Sequence, residues 1–439
     1  MDEDDKMYEN NHYVPQLILR RYGTKINRYN IKTKELFING STKNAFCEKK
    51  LYPEDVEILL GKLESEFTNV LDNKVLKAKD KIVLSRSELN LIKRFLVVLQ
   101  MRTPSSLGKW AGKKENKELS KSLGFKETVI ANETIDEYNL RTIRVLVESK
   151  NLKEVFDHPL VTYDACKWIT LYNNCYMVIW DSSDTQEDFI ITDVGMTCEH
   201  EPAKFLVPGY FEELVKEGYL LSHLEEAKNE IEKLMYSEIL NRSRFVYANF
   251  YMFSISNTRM IGLVNPFFRL YYDKNIVSNL GRVPDVWPTN ISKEALEPND
   301  AKYVNHYNIK GVDFVTEYHD KDEYIYKIKN LSLDDVLNIN CLMLDRVQEI
   351  MGFVNSNNIL RSLRVYMGVD EINPRVDYRP LKEELEKMGY TFSKRKYFSD
   401  LSKRLDMGYA TFTIEDRKYI NYMLNLSKEL KKYKKNDIN

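Results

Sequence analysis

The sequence predicts an α+β fold with a helical N-terminal part, a central antiparallel β-sheet region and a helical C-terminal part. Apolar residues recur at helical spacing through the first part of the chain, and β-branched and aromatic residues dominate the middle. Helix start signals return near residue 332. With 439 residues, the chain is long enough for two or three packed units or one large domain with insertions.

In the N-terminal part, residues 1–10 are predicted to be a disordered tail, and Lys25–Gly40 a β-hairpin because apolar and polar residues alternate there. We expect one helix to begin at Pro53, a second after the capping box Ser85–Glu88, and a third at Thr134. The apolar stripe of the first helix consists of Val56, Leu60, Leu63, Phe67 and Val70.

The middle of the chain is predicted to be rich in strands, after a lysine-rich loop over Gly108–Lys126. Lys167–Asp181 and Asp188–Met196 should pair antiparallel across a polar turn, and a helical stretch from Pro208 to about Asn241 should follow. The remaining predicted strands lie in Phe245–Ser256, Arg259–Asp273, Asp313–Tyr318 and Glu323–Lys329.

A long helix is predicted after the N-cap Ser332, from Val336 to about Asn355, and a last helix is predicted to be capped at Thr413. We therefore expect one domain over residues 11–356 and a helical extension over residues 361–439. Within the domain, residues 11–155 should be helical, residues 160–330 rich in strands and residues 332–356 a helix.

The composition, with 43% hydrophobic and 30% charged residues, is that of a folded protein. Because 65 Lys and Arg balance 66 Asp and Glu, no overall basic field argues for nucleic acid. Five cysteines without a CxxC pair, together with no signal peptide, predict a reducing cytoplasm. No apolar run approaches the roughly 20 residues of a membrane helix, so no membrane partner is expected.

The segment from Asn11 to Tyr22 carries the most suggestive chemistry. Pro15 suits the first position of a helical turn, and Gln16 and Arg20 would lie one turn apart on the same side. Together with His12, an amide and a guanidinium near a helix N-terminus suit an anion such as phosphate. The alternative is that the apolar residues of this N-terminal segment pack against the rest of the protein. Its polar side chains would then only form hydrogen bonds within the protein and bind no ligand.

Other chemistries have less support. The phosphate loops GxxxxGK[ST] and GxGxxG and the GxSxG elbow are absent, and Cys198-x-His200 lacks the usual spacing of a tetrahedral zinc site. Asp193 follows a predicted strand, as a carboxylate of a metal-dependent nuclease would. A strand-end aspartate more often caps a turn, however.

Three motifs carry a family resemblance: His12-Tyr13-Val14-Pro15-Gln16 with Leu19-Arg20 and Tyr22, the pair Leu63-Glu64, and Leu99-Gln100-Met101-Arg102-Thr103-Pro104. They are similar to the opening motif, a helical Leu-Glu pair and the Leu-Gln-x-Arg-Thr-Pro helix end of the domain-of-unknown-function 4238 family. The resemblance covers roughly residues 10–356. It implies a bacterial cytoplasmic protein, and some members of the family look like single-gene anti-phage defence proteins.

The resemblance and the residue chemistry together predict a defence effector that hydrolyses nucleic acid or nucleotides, with an imidazole for proton transfer near neutral pH. The predicted site consists of His12, Glu64 and Arg102 as catalytic residues and of Gln16, Arg20 and Gln100 as substrate-binding residues. The sequence does not determine whether the site uses a divalent metal cofactor, which substrate it takes, or the oligomeric state. The alternative is a non-enzymatic sensor or binding module for a phage protein or nucleic acid, in which the N-terminal motif is structural.

Overall fold

The computed structural model describes residues 10–49, 51–103, 128–202, 246–272, 287–298, 323–367 and 376–390. In these residues helices combine with antiparallel and mixed sheets, so the predicted α+β class is confirmed. The predicted segments that lie outside them are Gly108–Lys126, Pro208–Asn241, Asp313–Tyr318 and the helix capped at Thr413. Within the described ranges, no helix is both long and apolar enough to span a membrane.

The first hundred residues alternate short strands with helices. Their elements are β1 (Asn10–His12), α1 (Gln16–Leu19), β2 (Lys25–Asn30), β3 (Glu35–Ser41), β4 (Cys47–Lys49), α2 (Glu54–Val70), β5 (Lys81–Ser85) and α3 (Arg86–Met101). The predicted hairpin is confirmed, because β2 and β3 pair antiparallel. β1 pairs with β4, which ties the N-terminal segment to the loop that precedes α2.

Helices α2 and α3 agree closely with the sequence pattern. All five residues of the predicted stripe are buried in α2. The capping box is present in α3, since the Ser85 hydroxyl accepts from the Glu88 N–H while the Glu88 carboxylate accepts from the Ser85 N–H. The rings of Phe67 and Phe95 stack between the helices with centroids 3.8 Å apart.

Residues 128–181 form α4 (Ile135–Glu148), α5 (Leu152–Asp157), α6 (Tyr163–Asn174) and β6 (Tyr176–Asp181). The prediction of β structure over Lys167–Asp181 is wrong in its first half. Thr162 caps a helix there by accepting from the Ala165 N–H, and Trp168 and Tyr172 lie one turn apart on its buried face. Aromatic content favoured a strand, but burial at helical spacing decided the structure.

The other strands of the described residues are β7 (Ile191–Thr192), β8 (Thr197–Pro202), β9 (Val246–Ser254), β10 (Arg259–Val264), β11 (Glu323–Asn330) and β12 (Ile350–Phe353). A six-stranded sheet has the order β5-β11-β6-β10-β9-β8 and is antiparallel except where β11 lies beside β6. The predicted pairing of Lys167–Asp181 with Asp188–Met196 is wrong. β6 pairs with β10 and β11, whereas β7 pairs with β12.

The predicted helix over residues 332–356 begins after its predicted N-cap Ser332, but its second half is wrong. The segment divides into α8 (Leu333–Arg346), β12 and α9 (Ser356–Met367). The carboxylate of Asp193 accepts hydrogen bonds of 3.1, 2.6 and 3.0 Å from the main-chain N–H groups of residues 348–350. These bonds hold a turn that starts β12, the third strand of the sheet β3-β2-β12-β7. Asp193 therefore caps a turn.

The six-stranded sheet lies between two helical layers. Alternate residues of β6 point to opposite sides: Ile179 belongs to the core with α2, α3, α4 and α6, whereas Val178 and Trp180 belong to the core with α8 and α9. Short helix α7 (Lys293–Leu296) and α10 (Arg379–Lys387) join the second core. This two-sided cover accounts for the continuous burial of β6.

Candidate functional site

The candidate site begins with the N-terminal segment. Pro15 is the N-cap residue of α1, one position before the first helical position that the sequence predicts for it, and Leu17, Ile18 and Leu19 are buried in the core. α1 has only four residues before a 3-10 turn continues the chain. So short a helix has only a small dipole, and its N-terminus therefore contributes little to anion binding. Any attraction for an anion at this segment must come from its polar side chains.

Three polar side chains of this segment form a row. Arg20 Nη2 donates to Gln16 Oε1 at 2.9 Å, and Gln16 Nε2 lies 3.3 Å from His12 Nε2. His12 Nε2 also lies 3.0 Å from the main-chain oxygen of Lys43. Because that oxygen can only accept, Nε2 carries the hydrogen in this bond, and Nδ1 of the neutral ring is left as a base. The Gln16 amide nitrogen then faces a second donor at His12 Nε2, so this contact is not a hydrogen bond in that tautomer.

The surroundings of His12 favour the neutral ring. Burial lowers the pKa of His12, the hydrogen bond to the Lys43 main chain raises it, and the nearby Arg102 charge lowers it. The pKa of His12 therefore lies below its ordinary value of 6.5. A half-buried, uncharged imidazole is suited to accept a proton at neutral pH.

Arg102 lies at the C-terminal end of α3 and joins three segments. Its Nη1 donates to Glu64 Oε1 and its Nη2 to the main-chain oxygen of His12, each at 2.5 Å. The guanidinium carbon lies 5.6 Å from the centre of the Tyr52 ring, and the Tyr52 hydroxyl donates to the Arg102 main-chain oxygen. With its side chain only 2% exposed, Arg102 is committed to these partners and positions them.

Glu57 is a neighbour of this cluster that the sequence reasoning missed. Burial raises the pKa of Glu57, the Arg102 charge lowers it, and the Glu64 charge raises it, with a net rise. One carboxylate oxygen of Glu57 is buried and has no hydrogen-bond partner within the described residues. The signal was present in the sequence, because Glu57, Gly61 and Glu64 repeat at i, i+4 and i+7 and so share one face of α2.

The same face is open to solvent at Gly61. A methyl group placed on Gly61 would have no heavy atom of the described residues within 4 Å. Glycine in the middle of a helix lowers its stability relative to alanine, and here no close packing requires it. The face between Glu57 and Glu64 therefore has room for a ligand.

The structure brings His12, Glu64 and Arg102 together, with Gln16 and Arg20 extending from His12 to the surface. It does not bring Gln100 to this cluster. The side-chain oxygen of Gln100 accepts a hydrogen bond from the Tyr172 hydroxyl of α6, inside the core. Helical positions that are two residues apart point about 200° apart, which separates Gln100 from Arg102 despite their closeness in sequence.

No group of three or more His, Cys, Asp and Glu side chains is placed to hold a metal ion in the part of the chain that the structure describes. None of the five cysteines forms a disulfide bond within the described residues. Burial raises the pKa of Cys198 to about 11 and that of Cys175 to about 12, so neither thiol is prepared for nucleophilic chemistry.

Comparison with known protein families gives a match to the candidate-site region. The family model described as "Protein of unknown function (DUF4238)" matches residues 10–309, which is more than half of the chain. The matched range includes the whole candidate site. No curated protein and no solved structure matches the chain.

Proposed function

The chain belongs to the DUF4238 family, and from this premise we propose that it is a bacterial anti-phage defence effector that hydrolyses nucleic acid or nucleotides at the His12 site. One observation supports the proposal most: the Arg102 guanidinium of α3 donates to Glu64 of α2 and to the main-chain oxygen of His12, and its charge also acts on Glu57 of α2. Beside them, Gln16 and Arg20 reach the surface. A base, an acid and an exposed cation are what phosphate-ester hydrolysis requires.

In the proposed reaction, His12 Nδ1 takes a proton from a water molecule whose oxygen attacks the phosphorus. The bond from phosphorus to the leaving oxygen breaks, and Glu57, whose pKa is raised by burial, gives a proton to that oxygen as the general acid. Arg20 binds the phosphate. Arg102 and Glu64 act as positioning residues, because Arg102 is buried and donates to the His12 main chain.

The direct test incubates the purified full-length protein with labelled RNA, single-stranded and double-stranded DNA and nucleoside triphosphates, with and without EDTA. We expect turnover of at least one substrate, and His12→Ala should lower the rate by about 10²–10⁴-fold at an unchanged melting temperature. The matched control is His158→Ala, because His158 contacts Glu148 at a distance from the site. Turnover of none of these substrates, or full activity of His12→Ala, would overturn the proposal.

The same pair of variants carries the test into cells. Cells that express the wild type or His158→Ala should form fewer phage plaques than cells without the protein. Cells that express His12→Ala should lose this protection. Full protection by His12→Ala would separate defence from the His12 site.

Burial of Arg102 favours a second candidate, a non-enzymatic sensor or binding module for a phage protein or nucleic acid. In that case, the bonds from Arg102 to Glu64 and to the His12 main chain serve as a clasp for the N-terminal segment. A clasp variant such as Arg102→Ala should then lose melting temperature and protection together. His12→Gln, which leaves the clasp bonds intact, should protect like the wild type only if the protein is not an enzyme.

A further inference from the structure

We propose that the hairpin of β2 and β3 binds single-stranded nucleic acid beside His12, with one base stacked on Phe37 and the phosphates bound by basic side chains. This binding site rests on the proposed function and narrows its substrate to single strands. Binding to the hairpin is measurable without turnover, so the two proposals can fail separately.

The segment from residue 20 to residue 44 is strongly basic, although the whole chain has a net charge of −1. It contains seven Lys and Arg residues and a single acid, Glu35. Two of the cations, Arg21 and Lys32, form ion pairs with carboxylates. The other five have no ion-pair partner in the part of the chain that the structure describes: Arg20, Lys25, Arg28, Lys34 and Lys43. Such a local excess of positive charge attracts a polyanion.

Phe37 of β3 places an exposed aromatic ring on this basic segment. Its side chain is 48% exposed, and it lies directly opposite Arg28 of β2. The guanidinium carbon of Arg28 lies 5.6 Å from the centre of the Phe37 ring, and Arg28 Nη1 donates to the main-chain oxygen of Asn44 at 2.8 Å. An aromatic ring beside cations is the combination that binds the bases and the backbone of single-stranded nucleic acid.

The hairpin reaches the His12 site through the turn Thr42–Asn44, which follows β3. His12 Nε2 lies 3.0 Å from the main-chain oxygen of Lys43, and Arg28 donates to the main-chain oxygen of the next residue. The imidazole and the guanidinium therefore contact neighbouring peptide groups of one turn. A ligand that covers this turn can contact both the hairpin and the His12 site.

The distance along β3 sets the length of the strand that would be bound. Phe37 lies four positions before Ser41, the last residue of β3, which is about 13 Å at about 3.3 Å per residue. About four stacked nucleotides at about 3.4 Å each cover this distance. The exposed Lys25, which is the partner of Ser41 in the hairpin, and the exposed Lys43 lie at the end near His12, where they can bind phosphates.

The carboxylates near this path do not cancel its charge. Glu35 is the first residue of β3 and so lies at the end of the strand away from the turn that contacts His12. Glu48 follows Cys47, the partner of His12 in the pairing of β1 with β4, and therefore points to the opposite face of that small sheet. Glu64 is already neutralised by its ion pair.

The ring and the cations together select one kind of polyanion. An acidic peptide would pair with the cations but has no bases to stack on Phe37. A duplex brings phosphates, but its bases are already stacked on one another inside the helix. Unpaired bases have free faces, and each base that stacks on an aromatic side chain strengthens binding. The hairpin therefore favours a single strand.

The experiment measures binding of labelled oligo(dT) and oligo(U) to full-length His12→Ala protein, in which the proposed hydrolysis is suppressed. A duplex and a glutamate peptide of the same length are the comparison ligands. We expect the single strands to bind at least about fivefold more tightly than either, which corresponds to one stacked base. Adding Phe37→Leu should remove this difference at an unchanged melting temperature, whereas Phe37→Tyr should keep it.

The salt dependence of binding tests the cations. The slope of log K against log salt is about −0.7 for each phosphate of a single strand that is neutralised, so Lys25→Gln/Lys43→Gln should make it shallower by about 1.4. The matched control is Lys62→Gln/Lys150→Gln, which removes the same charge from two exposed lysines at an open groove between α2, α3 and α4. It should keep the original slope.

Four results would each overturn the binding site on the hairpin. They are no binding of the single strands, equal binding of the duplex or the glutamate peptide, undiminished binding by the Phe37→Leu protein, and equal slopes for the two double lysine variants. Binding of single strands as expected, together with no turnover by the wild type, would support the hairpin site and overturn the proposed hydrolysis alone.

Discussion

Helices α2 and α3 are joined by two Arg–Glu pairs that look alike in sequence and differ in their surroundings. Arg102 and Glu64 lie 2.5 Å apart, with side chains 2% and 24% exposed. Arg94 and Glu66 lie 3.3 Å apart, with side chains 8% and 60% exposed. In both pairs the guanidinium also binds main-chain oxygens, so the difference lies in the carboxylate: Glu64 is withdrawn from water, and Glu66 is largely hydrated.

This difference separates two environments on one helix. The edge of α2 that carries Glu64 faces the N-terminal segment, where burial shifts the pKa values of His12 and Glu57. The edge that carries Glu66 faces an open groove with two lysines that lack ion-pair partners within the described residues. A buried pair can position other groups, whereas an exposed pair contributes little beyond charge balance.

Replacing each arginine in turn should give the largest difference between the two pairs in the free energy of unfolding. Arg102→Ala leaves Glu64 and Glu57 partly buried without their cation, and we expect a loss of about 3–5 kcal/mol in the free energy of unfolding. Arg94→Ala leaves a hydrated Glu66 and two unpaired main-chain oxygens, and should cost about 1–3 kcal/mol. Denaturant unfolding of both variants measures the difference. Equal losses would mean that the two pairs are equivalent.

Replacing each carboxylate in turn should give a smaller difference in stability, and the Arg102–Glu64 pair should again be the more costly one to change. Glu64→Gln weakens the pairing of a buried guanidinium and should cost about 1–3 kcal/mol. Glu66→Gln changes an exposed side chain and should stay within about 0.5 kcal/mol of the wild type. Thermal unfolding of the matched variants tests this. A costly Glu66→Gln would contradict the assignment of Glu66 to a solvated rim.

Gly61→Ala tests whether the site edge of α2 is used. The added methyl group has open space, so the helix should gain about 0.8–1 kcal/mol of stability. If a substrate lies over this face, turnover and phage protection should fall although stability rises. Lys62→Ala, one residue along on the groove edge, should leave turnover unchanged, and a Gly61→Ala variant with full activity would place the substrate elsewhere.

The smallest expected effect is on the pH dependence of stability. Because the folded pKa of Glu57 is raised above 4.5, its contribution is present below that value and is lost as pH rises through the folded pKa. Because the folded pKa of His12 is lowered below 6.5, its contribution is present above 6.5 and is lost as pH falls through the folded pKa.

Unfolding measured from pH 4 to pH 8 separates the two contributions. Relative to the wild type, Glu57→Gln should remove the decline that begins above about pH 4.5, and His12→Gln the decline that begins below about pH 6.5. Lys62→Gln on the groove edge should keep the wild-type profile. Profiles that do not differ between Glu57→Gln and the wild type would show that Glu57 is not perturbed by burial.

Much of the fold and part of the site were readable from local sequence. The stripe of α2, the capping box at Ser85, the helix start at Thr134 and the hairpin after Lys25 depend on residues within one or two turns of each other, and all are confirmed. The one-turn spacing of Gln16 and Arg20 is local in the same sense. Such signals need no knowledge of the rest of the chain.

Contacts between distant residues were not readable in this way. The turn before β12 depends on Asp193, more than 150 positions earlier, and α6 forms where aromatic content favoured a strand. Gln100 and Arg102 are neighbours in sequence, but one faces Tyr172 in the core and the other Glu64. The partner of each side chain depends on how α3 packs against the neighbouring helices, which the local sequence does not specify.

The sequence by itself determined the α+β class, the helices α2, α3 and α4, and the membership of the DUF4238 family, whose model matches residues 10–309. Only the tertiary structure decided that Arg102 is buried, that Glu57 belongs beside it, and that the opposite edge of α2 borders a groove. The physical reason is that helix formation is governed by nearby residues, whereas the burial of a charge depends on every segment packed around it.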